Sequence, residues 1–222
     1  MTNFIHEIAS NKKTNFIILS AGENKTRGQH GNKSLVYVNK NQKLLDAQIK
    51  NIRKYSEINE IFVATGYQSG LITEYILKEY PDVRIVENKN YKKTTPLETL
   101  RLCLNCCLSE DTYIIYGDKY FSIDAINLQN RSEPAVVEST SNISKSDPGL
   151  LYQGDTLKRI TYGIKNKWGQ IFYIPKNLFY DFRHKSNNSK KKYYNVYDII
   201  NEVAKTYQFK IHKSKNIKEV TQ

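Results

Sequence analysis

The chain has 222 residues, with 34 Lys and Arg against 22 Asp and Glu and a formal net charge of +12. That length suits one domain with its own core, and 17 Tyr and 8 Phe spread along the chain argue against disorder. No apolar run approaches the ~20 residues of a membrane-spanning helix. Met1 to Glu7 has neither the basic start nor the apolar core of a secretory leader. Cys103, Cys106 and Cys107, an odd number in one segment, cannot build a disulfide framework. A soluble cytoplasmic protein is expected. The positive charge favours anionic partners, although most of the lysines are scattered and a Lys- and Asn-rich composition alone produces such an excess.

In chain order, residues 1–13 are expected to form an extra helix or arm. Phe16-Ile17-Ile18-Leu19 reads as a buried strand stopping at Ser20-Ala21-Gly22, with a Gly-containing loop and a short apolar stretch, Leu35 to Val38, after it. Leu44 to Tyr55 has Leu45, Ile49 and Ile52 at helical spacing. Ile61 to Ala64 is a second buried strand, ending at Thr65-Gly66-Tyr67. Leu71 to Tyr80 is a helix ended by Pro81, and Val83 to Val86 a short strand. Pro96 to Leu108 is a helix with a stripe of Leu97, Leu100, Leu104 and Leu108, and the cysteines serve there as small core residues. Thr112 to Tyr116 is a strand running into Gly117-Asp118. After Asp124, strand-like pieces at 135–137, 149–152, 157–162 and 170–174 suggest antiparallel hairpins. Lys185 to Lys192 reads as a mobile, solvated loop, Tyr194 to Thr206 as a last helix and Phe209 to His212 as a last strand. The pattern is α/β: a Rossmann-like three-layer α/β/α fold with a mostly parallel mixed central sheet and a β-richer C-terminal half. A single domain over 1–222 is expected, divided into halves at 14–124 and 125–222.

In open α/β sheets, ligands sit beyond the carboxyl ends of the strands. Three such ends present small or polar residues: Ser20-Ala21-Gly22, Thr65-Gly66-Tyr67 and Gly117-Asp118. A Gly after a strand lets backbone N–H groups approach phosphate oxygens. Arg27 and Lys33 add a forked donor and a mobile point charge suited to a polyphosphate. The loop has neither the Walker spacing nor the G-x-G-x-x-G fingerprint, so a phosphate loop of another kind is indicated.

Leu19-Ser20-Ala21-Gly22, Thr26-Arg27 and Lys33-Ser34-Leu35 together resemble the L-A-A-G-x-G-T-R…P-K-x-L signature of nucleotidyltransferases. These enzymes join a nucleoside triphosphate to a sugar phosphate or to an alcohol phosphate such as phosphocholine. Phe62 to Tyr67, Asn88 to Tyr91 with Leu97 to Leu100, and Tyr116-Gly117-Asp118 resemble three later motifs in the family's order. The resemblance runs over roughly residues 14 to 212. It implies a nucleotide-diphospho-sugar transferase fold, with nucleotide held around Ser20, Ala21, Gly22 and Glu23 and Arg27 on the β- and γ-phosphates. Lys33 would neutralise the α-phosphate, and Asp118 would hold Mg²⁺. Thr65, Gly66, Tyr67, Thr95 and Glu98 become candidates for base and ribose contacts. Departures are Asn24 for a second Gly, Asn32 for the Pro before the lysine, and Glu219-Val220-Thr221 where the family often carries a second metal-binding Asp in a pattern like E-I-D.

For the acceptor, Tyr162, Trp168 and Tyr173 are candidates to wall a pocket, since aromatic faces attract quaternary ammonium groups. The partners implied are a nucleoside triphosphate and a phosphorylated small molecule, and edge strands of the second half could pair two copies into a homodimer. A glycosyltransferase on the same fold usually displays Asp-x-Asp, against the Asp118-Lys119-Tyr120 found here. A degenerate nucleotide-binding protein is the reading that the altered loop and the missing second Asp would motivate. Nucleic-acid binding is compatible with the charge, but no aromatic-basic motif of a known module is present. Exposed loop histidines such as His30 usually have no role.

Overall fold

The computed structural model describes residues 13–23, 31–191 and 193–220. The expected arm at 1–13 therefore lies almost wholly outside the described residues, as do Asn24, Arg27, His30 and Thr221.

The elements are β1 (Thr14–Leu19), β2 (Tyr37–Asn39), β3 (Gln42–Lys43), α1 (Leu44–Ile52), β4 (Ile58–Thr65), α2 (Ser69–Glu79), β5 (Arg84–Glu87), α3 (Pro96–Cys106), β6 (Asp111–Tyr116) and β7 (Lys119–Tyr120). There follow β8 (Ala135–Ser139), β9 (Gly149–Gln153), β10 (Thr156–Thr161), β11 (Lys167–Ile174), α4 (Lys176–Ser186), α5 (Val196–Val203), β12 (Lys210–Ser214) and β13 (Lys218–Glu219). Nine strands make one mixed sheet in the order β5-β4-β1-β6-β11-β8-β12-β10-β9. The first four are mutually parallel. Every residue of β1 is buried, which is why the run reads as near-continuous apolar sequence.

The C-terminal half departs from a simply open sheet. β11 runs antiparallel to β6, and β9, the last strand in the order, pairs also with β11 through Lys167 and Gly149. The β-rich half thus curls back on itself.

Two apolar clusters form the core. In one, α3, α4 and α5 contribute Leu97, Leu100, Phe179, Phe182, Ile199 and Ile200. In the other, α1 and α2 contribute Leu45, Ile49, Ile72 and Ile76. The α3 stripe is shorter than its leucines suggest: the helix stops at Cys106 and Leu108 is 66% exposed. Cys103 and Cys107 are buried, and burial raises both thiols. Residues 185–191, the described part of the segment expected as a loop, are not all loop. Lys185 and Ser186 end α4, a 3-10 turn follows at Ser189–Lys191, and Lys191 pairs with Glu202 at 2.6 Å. No helix among the described residues is long and apolar enough to cross a membrane.

Asp46, in the first turn of α1, ties that helix to the tyrosines of and after α2. It accepts from the Lys43 backbone N–H at 2.9 Å and from the Tyr75 and Tyr80 hydroxyls at 2.7 and 2.8 Å. Burial, reinforced by these hydrogen bonds to a carboxylate, raises both phenol pKa values. Replacing Asp46 with Ala strands three donors and is expected to lower stability by about 3 kcal/mol. A urea unfolding midpoint checks this.

Candidate active site

The carboxyl ends of β1, β4 and β6 meet at one edge of the sheet. β1 lies between the other two in parallel register, with Leu19 opposite Ala64 and Tyr116. The junction is too tight for side chains. A Cβ on Gly66 would lie 2.8 Å from the Ala21 carbonyl and from the Tyr91 Cβ, and one on Gly117 would lie 2.7 Å from the Leu19 carbonyl. Backbone hydrogen bonds seal it: Ser20 N–H to Ala64, Tyr67 N–H to Ala21, and Gly117 N–H to Leu19.

Two neighbouring hollows open above this junction and share Leu19 and Gly22. The first, of about 150 Å³, is lined further by Ala21, Tyr91, Thr94, Thr95, Pro96, Thr99 and Tyr116. The second, of about 140 Å³, is lined by Ser20, Glu23, Asn32, Lys33, Ser34, Gly117 and Asp118. Of the residues expected at the site, Ala21 and Thr95 line the first hollow, Ser20, Glu23, Lys33 and Asp118 the second, and Gly22 both. Thr65 is fully buried, its hydroxyl 3.0 Å from that of Ser69. Gly66 packs beneath Ala21, and Tyr67 sets its ring edge-on to Tyr91. Glu98 is engaged by Arg101 within α3 at 2.6 Å and lines neither hollow.

Asn32 explains how the loop returns. Its side-chain amide donates to the carbonyls of Ser20 (2.8 Å) and Tyr67 (3.2 Å), and its side-chain oxygen accepts from the Ser34 N–H. It therefore ties two strand ends to the 3-10 turn Lys33–Leu35 that carries the lysine. Asn32→Ala leaves the buried Ser20 carbonyl and the part-buried Tyr67 carbonyl without this donor and is expected to cost about 2 kcal/mol, measurable by chemical unfolding.

Lys33 Nζ lies 3.4 Å from Asp118 Oδ2 and 3.3 Å from Glu219 Oε1. Glu219 arrives from β13, which pairs antiparallel with β7 so that Glu219 faces Lys119. Lys119 Nζ lies 3.0 Å from Glu219 Oε2 and 3.6 Å from Asp118 Oδ2. Burial pulls the Lys33 pKa down, but the carboxylates of Asp118 and Glu219 outweigh it and the net shift is upward. Burial likewise pushes Glu219 up, and Lys119 and Lys33 bring it below its usual value.

The donor chemistry suits a hard divalent cation. Asp118 Oδ1 is buried and has no hydrogen-bond partner among the described residues. No cluster of three or more His, Cys, Asp or Glu among the described residues could hold a metal by itself. One or two carboxylates completed by substrate oxygens is the manner of Mg²⁺, and Asp118 with Glu219 fits it.

The three aromatic residues expected to share an acceptor wall do not do so. Tyr173 is fully buried with Tyr113 in the α1–α2 cluster, whereas Trp168 lies in the other cluster. Strand alternation separates them, since their positions in β11 differ by an odd number. Tyr162, half exposed, sets its ring edge-on to Tyr197, and Trp168 sets its ring edge-on to Tyr116, which lines the first hollow. The sequence motifs include Tyr91, Thr99 and Tyr116 without assigning them a role, and sequence reasoning singled out neither Tyr197 nor Lys119 as a site residue. Tyr116 and Lys119 flank the Gly-Asp pair, and that adjacency was the available signal.

No family model matches the chain, and no curated protein does. Solved structures do. A CTP:phosphocholine cytidylyltransferase from Streptococcus pneumoniae is 17% identical with a TM-score of 0.75, covering 94% of this chain and 93% of that one. The inositol-1-phosphate CTP transferase from T. maritima is 15% identical with a TM-score of 0.72, covering 95% and 89%. A UDP-glucose pyrophosphorylase solved with UDP-glucose is 11% identical with a TM-score of 0.69, covering 92% and 91%. The chain therefore has the nucleotide-diphospho-sugar transferase fold that these nucleotidyltransferases share.

Proposed function

We propose that the protein is a nucleotidyltransferase that couples a nucleoside triphosphate to a phosphorylated small molecule and releases pyrophosphate. The observation that carries this reading is the convergence of Lys33, Asp118 and Glu219 beside the strand-end backbone of Ser20, Ala21 and Gly22. The base occupies the hollow under Tyr91, Thr95 and Thr99, and the phosphates run across Gly22 toward Lys33. Lys33 moves from its carboxylate partners to the α-phosphate and stabilises charge as the acceptor phosphate attacks in line. Arg27 is assigned to the departing pyrophosphate by its place in the loop. Mg²⁺, held by Asp118 and Glu219, would neutralise phosphate charge when bound. The remaining contribution of the protein is positioning and fixed electrostatics, which is what phosphoryl-type transfer demands.

For the acceptor, Tyr116 lines the nucleotide hollow, backed from the core by the buried Trp168, and the edge-on rings of Tyr162 and Tyr197 supply further, partly exposed aromatic surface. This supports a small phosphorylated alcohol or amino-alcohol over a large sugar, because ring faces attract an alkylammonium group. Pyrophosphate release is the test, with CTP, UTP, GTP, ATP and dTTP each offered with Mg²⁺ against sugar-1-phosphates and phosphorylated amino-alcohols. Turnover with one pair is expected. Absence of turnover together with absence of nucleotide binding would overturn the reading.

A further inference from the structure

Lys119 has a place in the site that charge transfer to phosphate does not account for. Its side chain is only 5% exposed, against 21% for Lys33. Its carbonyl accepts from the buried Gln48 amide at 2.7 Å, and its strand partner is Glu219 itself. Lys33 instead stands on a short 3-10 turn at the rim of the hollow. Lys119 is therefore fixed, and Lys33 is the ammonium free to swing toward a ligand.

The four charges are balanced. Asp118 and Glu219 carry two negative charges, and each is within 3.6 Å of both Lys33 and Lys119, which carry two positive ones. Two carboxylates drawn together without those ammonium groups would repel one another and attract a divalent cation strongly. With the lysines in place, a bare divalent cation entering the site would face two positive charges and gain little. A cation arriving on a nucleoside triphosphate brings its own anionic partner, to which Lys33 can turn.

We propose that Lys119 is a positioning residue that serves as the resident cation of the site. It holds Glu219 against Asp118 in the ligand-free protein and suppresses binding of a free divalent cation, so that the cation enters only with nucleotide. This rests on reading the cleft as a nucleotide and cation site. It adds an order of binding and a role for a residue outside the phosphate-binding loop.

Mn²⁺ is the probe, with free ion counted by electron paramagnetic resonance over the full chain without nucleotide. The wild-type protein is expected to hold no Mn²⁺ below about millimolar concentration, and Lys119→Met to bind one ion at least about tenfold more tightly. Lys119→Arg, which keeps the charge, is expected to behave as wild type. Adding the nucleotide that binds best should recruit Mn²⁺ to the wild type. Tight Mn²⁺ binding by wild type without nucleotide would overturn the proposal, and this arm needs no variant to fold. Equal or weaker binding by a Lys119→Met protein with native circular dichroism would overturn it as well. If no nucleotide binds, the transferase reading fails, while the nucleotide-free Mn²⁺ comparison still decides the role of Lys119.

Discussion

Asp118→Asn is expected to lower kcat at least about a thousandfold, because it removes the charge that would hold the cation where phosphate charge is redistributed. The substitution keeps size and shape. The backbone bonds that frame the residue, Val220 N–H to the Asp118 carbonyl and Gly117 N–H to the Leu19 carbonyl, involve no side chain. Lys119 keeps its 3.0 Å contact with Glu219, so the strand pair β7–β13 is retained. The melting temperature should therefore move little while turnover disappears. Lys33→Ala should behave alike, since its side chain sits on the rim and its turn is held by Asn32. Steady-state pyrophosphate release and thermal unfolding, run on the same preparations, separate the two effects. Activity within tenfold of wild type in either variant would remove the mechanism.

Gly117→Ala is expected to act through packing and to be the more disruptive change. The new methyl would lie 2.4 Å from Ser20 Oγ, 2.7 Å from the Leu19 carbonyl oxygen and 2.9 Å from Ser20 Cα. The hydroxyl can rotate away, but the two backbone atoms cannot move without parting β1 from β6 at their carboxyl ends. A loss of about 3 kcal/mol is expected, with the hollow under Asp118 distorted. Unfolding in urea measures the first. Nucleotide affinity of the folded fraction, expected to fall, measures the second. An unchanged midpoint would show that the strand ends yield more easily than their contacts imply.

The sequence made the parallel half of the sheet legible because β1, β4 and β6 are buried on both faces, and burial of that kind writes itself as uninterrupted apolar runs. The strand ends followed, and with them Ser20, Gly22, Lys33 and Asp118. Helix α4 was missed. Its apolar residues Leu178, Phe179 and Phe182 are diluted by eight other residues, mostly polar, and it starts directly after Pro175 and strand β11. Tyr173 was misplaced because residue type was weighed and strand parity was not, although parity alone sets it on the face opposite Trp168. Glu219 lay in the segment that departs from the family's second Asp, and the pairing of β13 with β7 brings it to the lysines that contact Asp118. That pairing joins segments about a hundred positions apart, which no local pattern encodes.

The position of Glu219 along the chain also bears on biosynthesis. All nine strands of the sheet have been made by Ser214, whereas Ile217, buried in the core, and Glu219 come after. A chain growing from its N-terminus can thus assemble its scaffold and the Asp118 side of the cleft before the second carboxylate exists. On the function proposed above, the scaffold can form first, and the second carboxylate joins Asp118 only when β13 pairs with β7.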